Sequence, residues 1–272
     1  MKATFYLTWQ VVKLYLRTRT FLFTMVLTPI LLFLIYVNIF AAGKPEKIIM
    51  LLGPVLVLMA TTNGLYGLGG DLLMMRESGT LLPYRVTPVT SAQILVSRLF
   101  VDFFLTVFVG AVEVVLAVKL YGMPLRASPW DLVIIATLAA LALGTLGAVI
   151  ISVANSFPEA SMLSQVLFLA LLIMSGLTLP LDSLPRFWRG IANFLPTTML
   201  VTSFNGVLVN GDHLAIHWRE VVVLILFIGT CGLVASALFR WDKEQKATWR
   251  DRILAGIALV PLLLAGVWFN LR

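Results

Sequence analysis

His213, His217 and Glu220 stand at i, i+4 and i+7. A continuous helix would align these two imidazoles and one carboxylate on one face, which is metal-ligand spacing. The trio equally suits an interfacial helix leading into an apolar run; no further ligand lies nearby, and no metal site is expected. Glu113 sits well inside another apolar run, about 21 Å along a helix from Leu99. An ionisable group at that depth is costly and commonly functional. It would either contact a transported substrate or stay protonated and hydrogen-bonded within a helix bundle. Asp102 and Asp131 lie nearer the run ends, where water or an Arg98 or Arg126 partner suffices, so both read as structural. No GxxxxGK[ST] phosphate loop, GxSxG elbow or HExxH helix occurs, and the nearest string, Gly43-Lys44-Pro45, lacks the upstream glycine and the hydroxyl. The chain therefore does not read as an enzyme and shows no nucleotide or cofactor site of its own. Uphill work would draw on a partner or an ion gradient.

The strongest local signal is a polar interruption, Met75 to Val89, between two apolar runs of membrane length. It holds Arg76, Glu77, Ser78, Gly79, Thr80, Pro83, Arg85, Thr87 and Pro88. Gly79 permits a tight turn. Pro88 fixes its own backbone and keeps Thr87 extended. Between them Thr80–Val86 is predicted to form a short helix, with Pro83 in its first turn. Thr90 or Ser91 would then cap the next helix. Such a segment is either a solvated loop that sets topology or a stiff surface offered to a partner.

These residues need a frame that holds them in lipid. The chain has 272 residues, 60% hydrophobic and 12% charged, with mean hydropathy +0.98. Soluble domains carry roughly twice that charged fraction, so the class is an all-α integral membrane protein. Seven apolar runs approach the ~20 residues of a span: Phe21–Ala41, Ile48–Gly70, Leu99–Tyr121, Trp130–Val153, Ala160–Leu179, Val221–Phe239 and Ile253–Asn270. Before them, Phe5, Trp9, Val12 and Leu16 with Lys13, Arg17 and Arg19 describe a basic amphipathic helix over residues 1–20, suited to the inner face of a membrane. Asn63-Gly64-x-x-Gly67-x-Gly69-Gly70 and Gly144-x-x-Gly147 give two spans small-residue faces for close packing. Cys231 is the lone cysteine and reads as packing.

The net charge of +7 comes from residues flanking the runs. With the N-terminus in the cytoplasm, twelve of the twenty Lys and Arg fall on the cytoplasmic side, the densest cluster being Arg240–Arg252. That is the positive-inside bias, and no nucleic-acid partner is expected. Met75–Val89 is then cytoplasmic and Pro180–Arg219 external. The external stretch carries an apolar stripe, Phe187, Trp188, Ile191, Phe194 and Leu195, then Pro196 and Met199, Leu200, Val201 and Phe204. Two short amphipathic helices dipping into the outer leaflet would produce this pattern. Trp188, Trp218, Trp241 and Trp249 suit an aromatic belt.

Two motifs together resemble the ABC-2 type transporter permeases. Arg76-Glu77-Ser78-Gly79-Thr80-Leu81 followed by Val86-Thr87-Pro88-Val89-Thr90 is similar to that family's first cytoplasmic loop. Ser175-Gly176, Pro180, Leu184-Pro185-x-Phe187-Trp188 and Phe194-Leu195-Pro196 are similar to the end of its fifth span and its external re-entrant helices. The resemblance implies a six-span permease core over residues 1–239, comprising an interface helix (1–20), a cytoplasmic coupling loop (71–97) and external re-entrant helices (180–218). Residues 240–272 would add a basic loop and a seventh span. It implies the transmembrane half of a bacterial exporter in the plasma (inner) membrane, paired as homo- or heterodimer. Two cytoplasmic ABC ATPase subunits would hold the ATP and Mg, and spans one, two and five would wall the path. Arg76, Glu77, Gly79, Thr80, Leu81, Arg85, Thr87 and Pro88 would couple to the ATPase. Phe187, Trp188, Phe194, Leu195 and Pro196 would form an outer gate, with Glu113 and Asn63 in the pathway. The cargo would be hydrophobic or amphipathic: a drug, an antibiotic, a lipid or a glycan. The alternative is an ion-coupled carrier working without an ATPase, which needs ionisable groups converging at the midplane.

Overall fold

The computed structural model describes residues 2–17, 23–87, 89–174, 185–242 and 244–270, with the side chains of 2–6, 14–16, 24, 68, 69 and 71 left aside. Among these residues every regular element is a helix. Five helices are long and apolar enough to cross a membrane, and up to seven if each of two bent pairs counts as one span.

Proline and glycine place most boundaries. Helix α1 (Lys2–Arg17) comes first. A π-helical turn at Phe23–Leu27 leads into α2 (Thr28–Phe40). Chain reversal at Ala42 and Gly43, both left-handed, delivers Pro45 to the first turn of α3 (Pro45–Thr62). A π-helical segment, Asn63–Leu68, carries α3 into α4 (Gly69–Glu77), so residues 45–77 form one continuous span. After the four-residue α5 (Leu82–Arg85), α6 (Ser91–Tyr121) opens with a capping box: Thr90 Oγ1 accepts from the Gln93 amide and Gln93 Oε1 from the Thr90 amide. It closes on Gly122 at φ +65°. Helices α7 (Pro129–Val153) and α8 (Phe157–Met174) follow, then α9 (Arg186–Ala192) and α10 (Pro196–Asn205), which a π turn continues to Asn210. A 3-10 turn, Leu214–His217, enters α11 (Trp218–Ala237). The last pair is α12 (Trp249–Ile257) and α13 (Val260–Asn270), bent by 46° where Pro261 lacks the amide that would bond back to Ile257.

The axis of the fold is α7. It packs against α3, α4, α6, α8, α10, α11 and α12, and from Leu138 to Ser152 all but Leu141 are buried. The π segment crosses it backbone to backbone. A Cβ on Gly64 would fall 2.5 Å from the Leu143 carbonyl carbon, and a Cβ on Gly147 would run into the Gly64 carbonyl oxygen. Among the described positions of span two's small-residue face, Gly64 makes this crossing, while Gly67 meets Met25 and Gly70 faces open space.

Several expectations shift. Helix α6 begins eight residues before Leu99, because Gln93, Ser97 and Arg98 form a helical turn rather than a loop. The first span is helical over Met25–Phe40 and falls short of the 18-residue span length; residues 18–22, including Arg19, lie outside the described residues. On α1 the buried pair is Leu7 and Val11, with the helix set against α6, while Trp9 is exposed and Val12 half-buried. The side chains of Phe5 and Leu16 lie outside the described set. The two short helices expected within Pro180–Arg219 both form, and they differ in burial. α9 and α10 meet at 92°, and α10 is buried along its length between α3, α7 and α11.

Gly147→Ala should lower stability by about 1–3 kcal/mol, the usual cost of overpacking a filled contact. Gly229→Ala, where a Cβ meets nothing within 4 Å, should cost nothing measurable. Thermal unfolding of the two purified variants in detergent checks this, and equal midpoints would count against the crossing.

Candidate functional site

The segment after α4 folds by turn chemistry. Gly79 sits at φ +74°, which ends the helix and reverses the chain. The Leu81 amide bonds the Met75 carbonyl and the Leu82 amide bonds that of Gly79. Leu81 is then buried and Tyr84 half-buried, and together they pin α5 to the bundle. Leu82, Pro83, Arg85, Val86 and Thr87 point away, Val86 being 89% exposed. Thr87 Oγ1 donates to the Tyr84 carbonyl at 2.7 Å and closes the turn. The exposed Thr80 hydroxyl pairs with that of Ser78. Pro88 lies outside the described residues. A cavity of about 310 Å³ opens behind α5, with Leu7 and Val11 of α1 on one wall and Met75, Leu81 and Arg98 on the other.

Arg76 is buried, and Glu77, though exposed, already holds a partner within the chain. Arg76 is 3% exposed, and its guanidinium donates to the Ile151 and Ala154 carbonyls at 3.2 and 2.7 Å. Those carbonyls end α7, where no further helical amide reaches them and the helix dipole is negative. Arg240 converges from the other side, donating to Ser152 O at 3.1 Å, Ala154 O at 2.6 Å, Asn155 Oδ1 at 2.9 Å and Gln245 O at 2.7 Å. Burial pushes the Arg240 pKa below the ordinary guanidinium value, while Asp251 and Glu159 pull it back up. Glu77 accepts from the Phe157 amide and so caps the start of α8. Glu159 accepts from the Asn155 amide at 2.8 Å and from Arg252 at 2.8 Å. The α7–α8 turn is thus held by ends of α4, α8, α11 and α12 together. Arg76 and Glu77 tie the segment to this turn, while the outward face is made by residues whose apolar character gave no signal in a polar run, Leu82 and Val86.

At the opposite end, Phe187 and Trp188 of α9 meet edge to face with centroids 5.3 Å apart and remain exposed. Leu195 takes an extended N-cap geometry that starts α10, with Pro196 buried at its first position. Phe194 turns inward and lies flat on Gly266 of α13. The proposed gate residues therefore divide into an exposed pair and a packed corner. Ser175, Gly176, Pro180 and Leu184 lie outside the described residues.

On α6 the buried face carries Arg98, Asp102, Thr106 and Glu113. Glu113 is fully buried, and neither of its carboxylate oxygens has a hydrogen-bond partner. Asp102 is not near a span end: it lies eleven residues into α6, is buried, and its Oδ2 has no hydrogen-bond partner. Asn63 is buried where the π segment begins. Glu113 lies far from the coupling segment, about 33 Å along α6 from Ser91. The metal spacing dissolves, because His213 precedes a 3-10 turn instead of sharing one α-helix with Glu220. His213 Nδ1 pairs with Asp131 Oδ2, and His217 Nε2 with Asp212 Oδ2, each at 3.5 Å. Asp131 thus faces a histidine and not Arg126. No group of three or more potential metal ligands forms among the described residues.

Arg76→Met strands the Ile151 carbonyl at a buried helix end and leaves Ala154 O to Arg240 alone, and should cost about 2–3 kcal/mol, in the range of charge-assisted bonds. Arg85→Met removes an exposed side chain and should stay within about 0.5 kcal/mol of the parent. Unfolding midpoints of both variants in detergent check the difference, and matching losses would remove the structural role assigned to Arg76.

The model of the ABC-2 type transporter family matches residues 2–209. The inner membrane transport permease YhhJ of Escherichia coli strain K12 is 27% identical over 173 residues, 63% of this chain and 46% of that protein. The probable multidrug ABC transporter permease YbhS of the same strain is 24% identical over 175 residues, covering 62% and 44%. The probable multidrug ABC transporter permease YbhR is 22% identical over 188 residues, covering 69% and 51%. The chain thus spans about half the length of the curated relatives it matches. No solved structure matches it significantly. An all-helical bundle with five or more apolar spans, a short helix projecting from one end and a buried re-entrant helix at the other meets this match over three quarters of its length: the chain belongs to the ABC-2 type transporter family, as a membrane-spanning permease.

Proposed function

We propose that this permease is the membrane half of an ATP-driven exporter. Two such subunits pair, as homo- or heterodimer, in a bacterial inner membrane with the N-terminus cytoplasmic. A cytoplasmic ABC ATPase pair, holding ATP and Mg, seats on α5. The observation that carries this reading is the division of labour in residues 76–87. Leu82, Arg85 and Val86 present an exposed mixed apolar and basic face, whereas Arg76 and Glu77 are wired into the α7–α8 turn. A push on α5 therefore reaches α7, which touches most of the bundle, through charged hydrogen bonds and not through a slack loop.

The cargo is hydrophobic or amphipathic. Two relatives are named as probable multidrug permeases. The bundle also offers an apolar cavity of about 200 Å³ between α3, α6 and α7, lined by Leu56, Val114, Leu132, Ala136 and Phe204 among others. The path opens outward past the α9–α10 corner, where Phe187, Trp188, Phe194, Leu195 and Pro196 gather. A second reading, an ion-coupled carrier, draws on one observation: α6 holds two buried carboxylates, Asp102 and Glu113, instead of one. Uptake of a lipophilic dye into vesicles of permease alone, driven by a proton gradient, would favour that reading.

The test is to co-express and co-purify the permease with candidate cytoplasmic ABC ATPases of its source organism. The double substitution Arg85→Glu/Val86→Asp should weaken ATPase binding and dye export by roughly tenfold or more, as loss of a central interface anchor does. The unfolding midpoint should stay unchanged. Undiminished ATPase binding, or impermeant reagents reaching a Val86→Cys thiol from outside the cell, would overturn the proposal.

A further inference from the structure

The bent pair α12–α13 links the two ends of the bundle. At its first end, the Thr248 capping box starts α12, Arg252 binds Glu159 at 2.8 Å, and the Ala247 amide donates to Asn155 Oδ1. All of these sit at the α7–α8 turn that also receives Arg76. At its last end, Asn270 reaches α9. Asn270 Nδ2 donates to the Gly190 carbonyl at 2.9 Å, and Asn270 Oδ1 accepts from Asn193 Nδ2 at 2.9 Å. One turn earlier Gly266 leaves a flat seat filled by the Phe194 ring, with no room for a Cβ. The Arg219 guanidinium lies over the Trp268 ring at 5.3 Å and so holds α13 to α11 beside the same corner.

The two arms of the external corner are fixed in different ways. α10 is locked into the core by its own buried side chains. α9 has a single buried side chain, Ala192, and touches only α8 and α13 among its principal neighbours. Gly190 and Asn193 lie in its last turn, where carbonyls lack helical partners. Asn270 satisfies one of them and grips the adjoining amide side chain at the same time.

We infer that Asn270, with Gly266 beneath Phe194, is the latch that holds α9 shut over the outer end of the bundle, and that α12–α13 is the strut connecting this latch to the joint at the α7–α8 turn. The inference rests on the exporter reading for its purpose but not for its test. Movement of the turn pulls on Glu159 and Arg252, tilts the strut about its Pro261 bend and draws Asn270 off α9. The aromatic pair Phe187–Trp188 then swings away from α13.

A Cβ at position 190 would lie 3.6 Å from Asn270 Oδ1, so thiols at positions 190 and 270 come within the span of a short bifunctional crosslinker. In a Cys231→Ala background, Gly190→Cys/Asn270→Cys should crosslink with a short bis-methanethiosulfonate in membranes, and a reductant should reverse it. With the ATPase bound, the crosslinked protein should lose dye export roughly tenfold while keeping the ATPase, because only the outer end is clamped. Without transport, the latch is read by an impermeant maleimide on Gly190→Cys. Asn270→Ala should speed labelling about fivefold or more, the scale expected for losing two hydrogen bonds. Asn270→Asp keeps the bond from Asn193, loses the one to Gly190, and should fall between. Absence of the crosslink, full export by the crosslinked protein, or labelling rates indifferent to position 270 would each overturn the latch. Failure of any ATPase to bind would sink the exporter reading alone, since crosslinking and labelling do not depend on it.

Discussion

The structure turns on how a helix end is satisfied at the membrane surface. α7 finishes at Val153 among four other elements, with water largely excluded, so its last carbonyls need donors from the protein. Arg76 and Arg240 supply them, and both guanidinium groups reach the Ala154 carbonyl. Two like charges at one acceptor are tolerable only because several carbonyls and the Asn155 amide oxygen share them, in the negative field of the helix terminus. Everything that meets at this turn becomes mechanically one piece: the end of the 33-residue span 45–77, the start of α8, the loop after α11 and the start of α12.

That joint would be of little use if the axis it grips were loosely held. Close contact at Gly64 and Gly147 lets backbone dipoles and Cα–H groups approach where larger residues would hold the helices apart. The π segment Asn63–Leu68 lies at this crossing. An extra residue in the turn widens the helix and rotates its following face, a device that recurs at functional sites. It lets one continuous span contact α7 on two differently oriented stretches, with Leu65 and Leu72 both fully buried.

Much of this was legible in the residues. Runs of apolar side chains gave the spans, and the Gly79 turn, the short helix around Pro83 and the Thr90 cap all form as local chemistry requires. What was illegible depends on partners distant in the chain. An arginine in a polar run reads as surface, and nothing local reveals that Ile151 and Ala154 wait for Arg76 some 75 residues away. Gln93, Ser97 and Arg98 read as loop, which hid the true start of α6 and the depth of Asp102. The apolar stripe of Met199, Leu200, Val201 and Phe204 was legible, but not that the hydroxyls of Thr197, Thr198 and Ser203 are buried with it. The metal spacing at His213 failed for a related reason: periodicity counts residues but not the type of helix that spaces them.

The burial of α10 also explains why a re-entrant element is workable here. Backbone that breaks at membrane depth must be covered by protein or face water in a cavity. At the 92° corner, the Phe194 and Leu195 amides bond the Ile191 and Ala192 carbonyls, so the turn satisfies itself. Pro196 then begins α10 without presenting an amide at all. The corner is thus cheap to keep at depth as long as α10 stays in the core. Freedom is confined to α9, whose exposed aromatic face suits the interface between lipid and water. Contacts at this end of the bundle therefore rest on one small helix, while the helices around α7 carry the packing that holds the fold together.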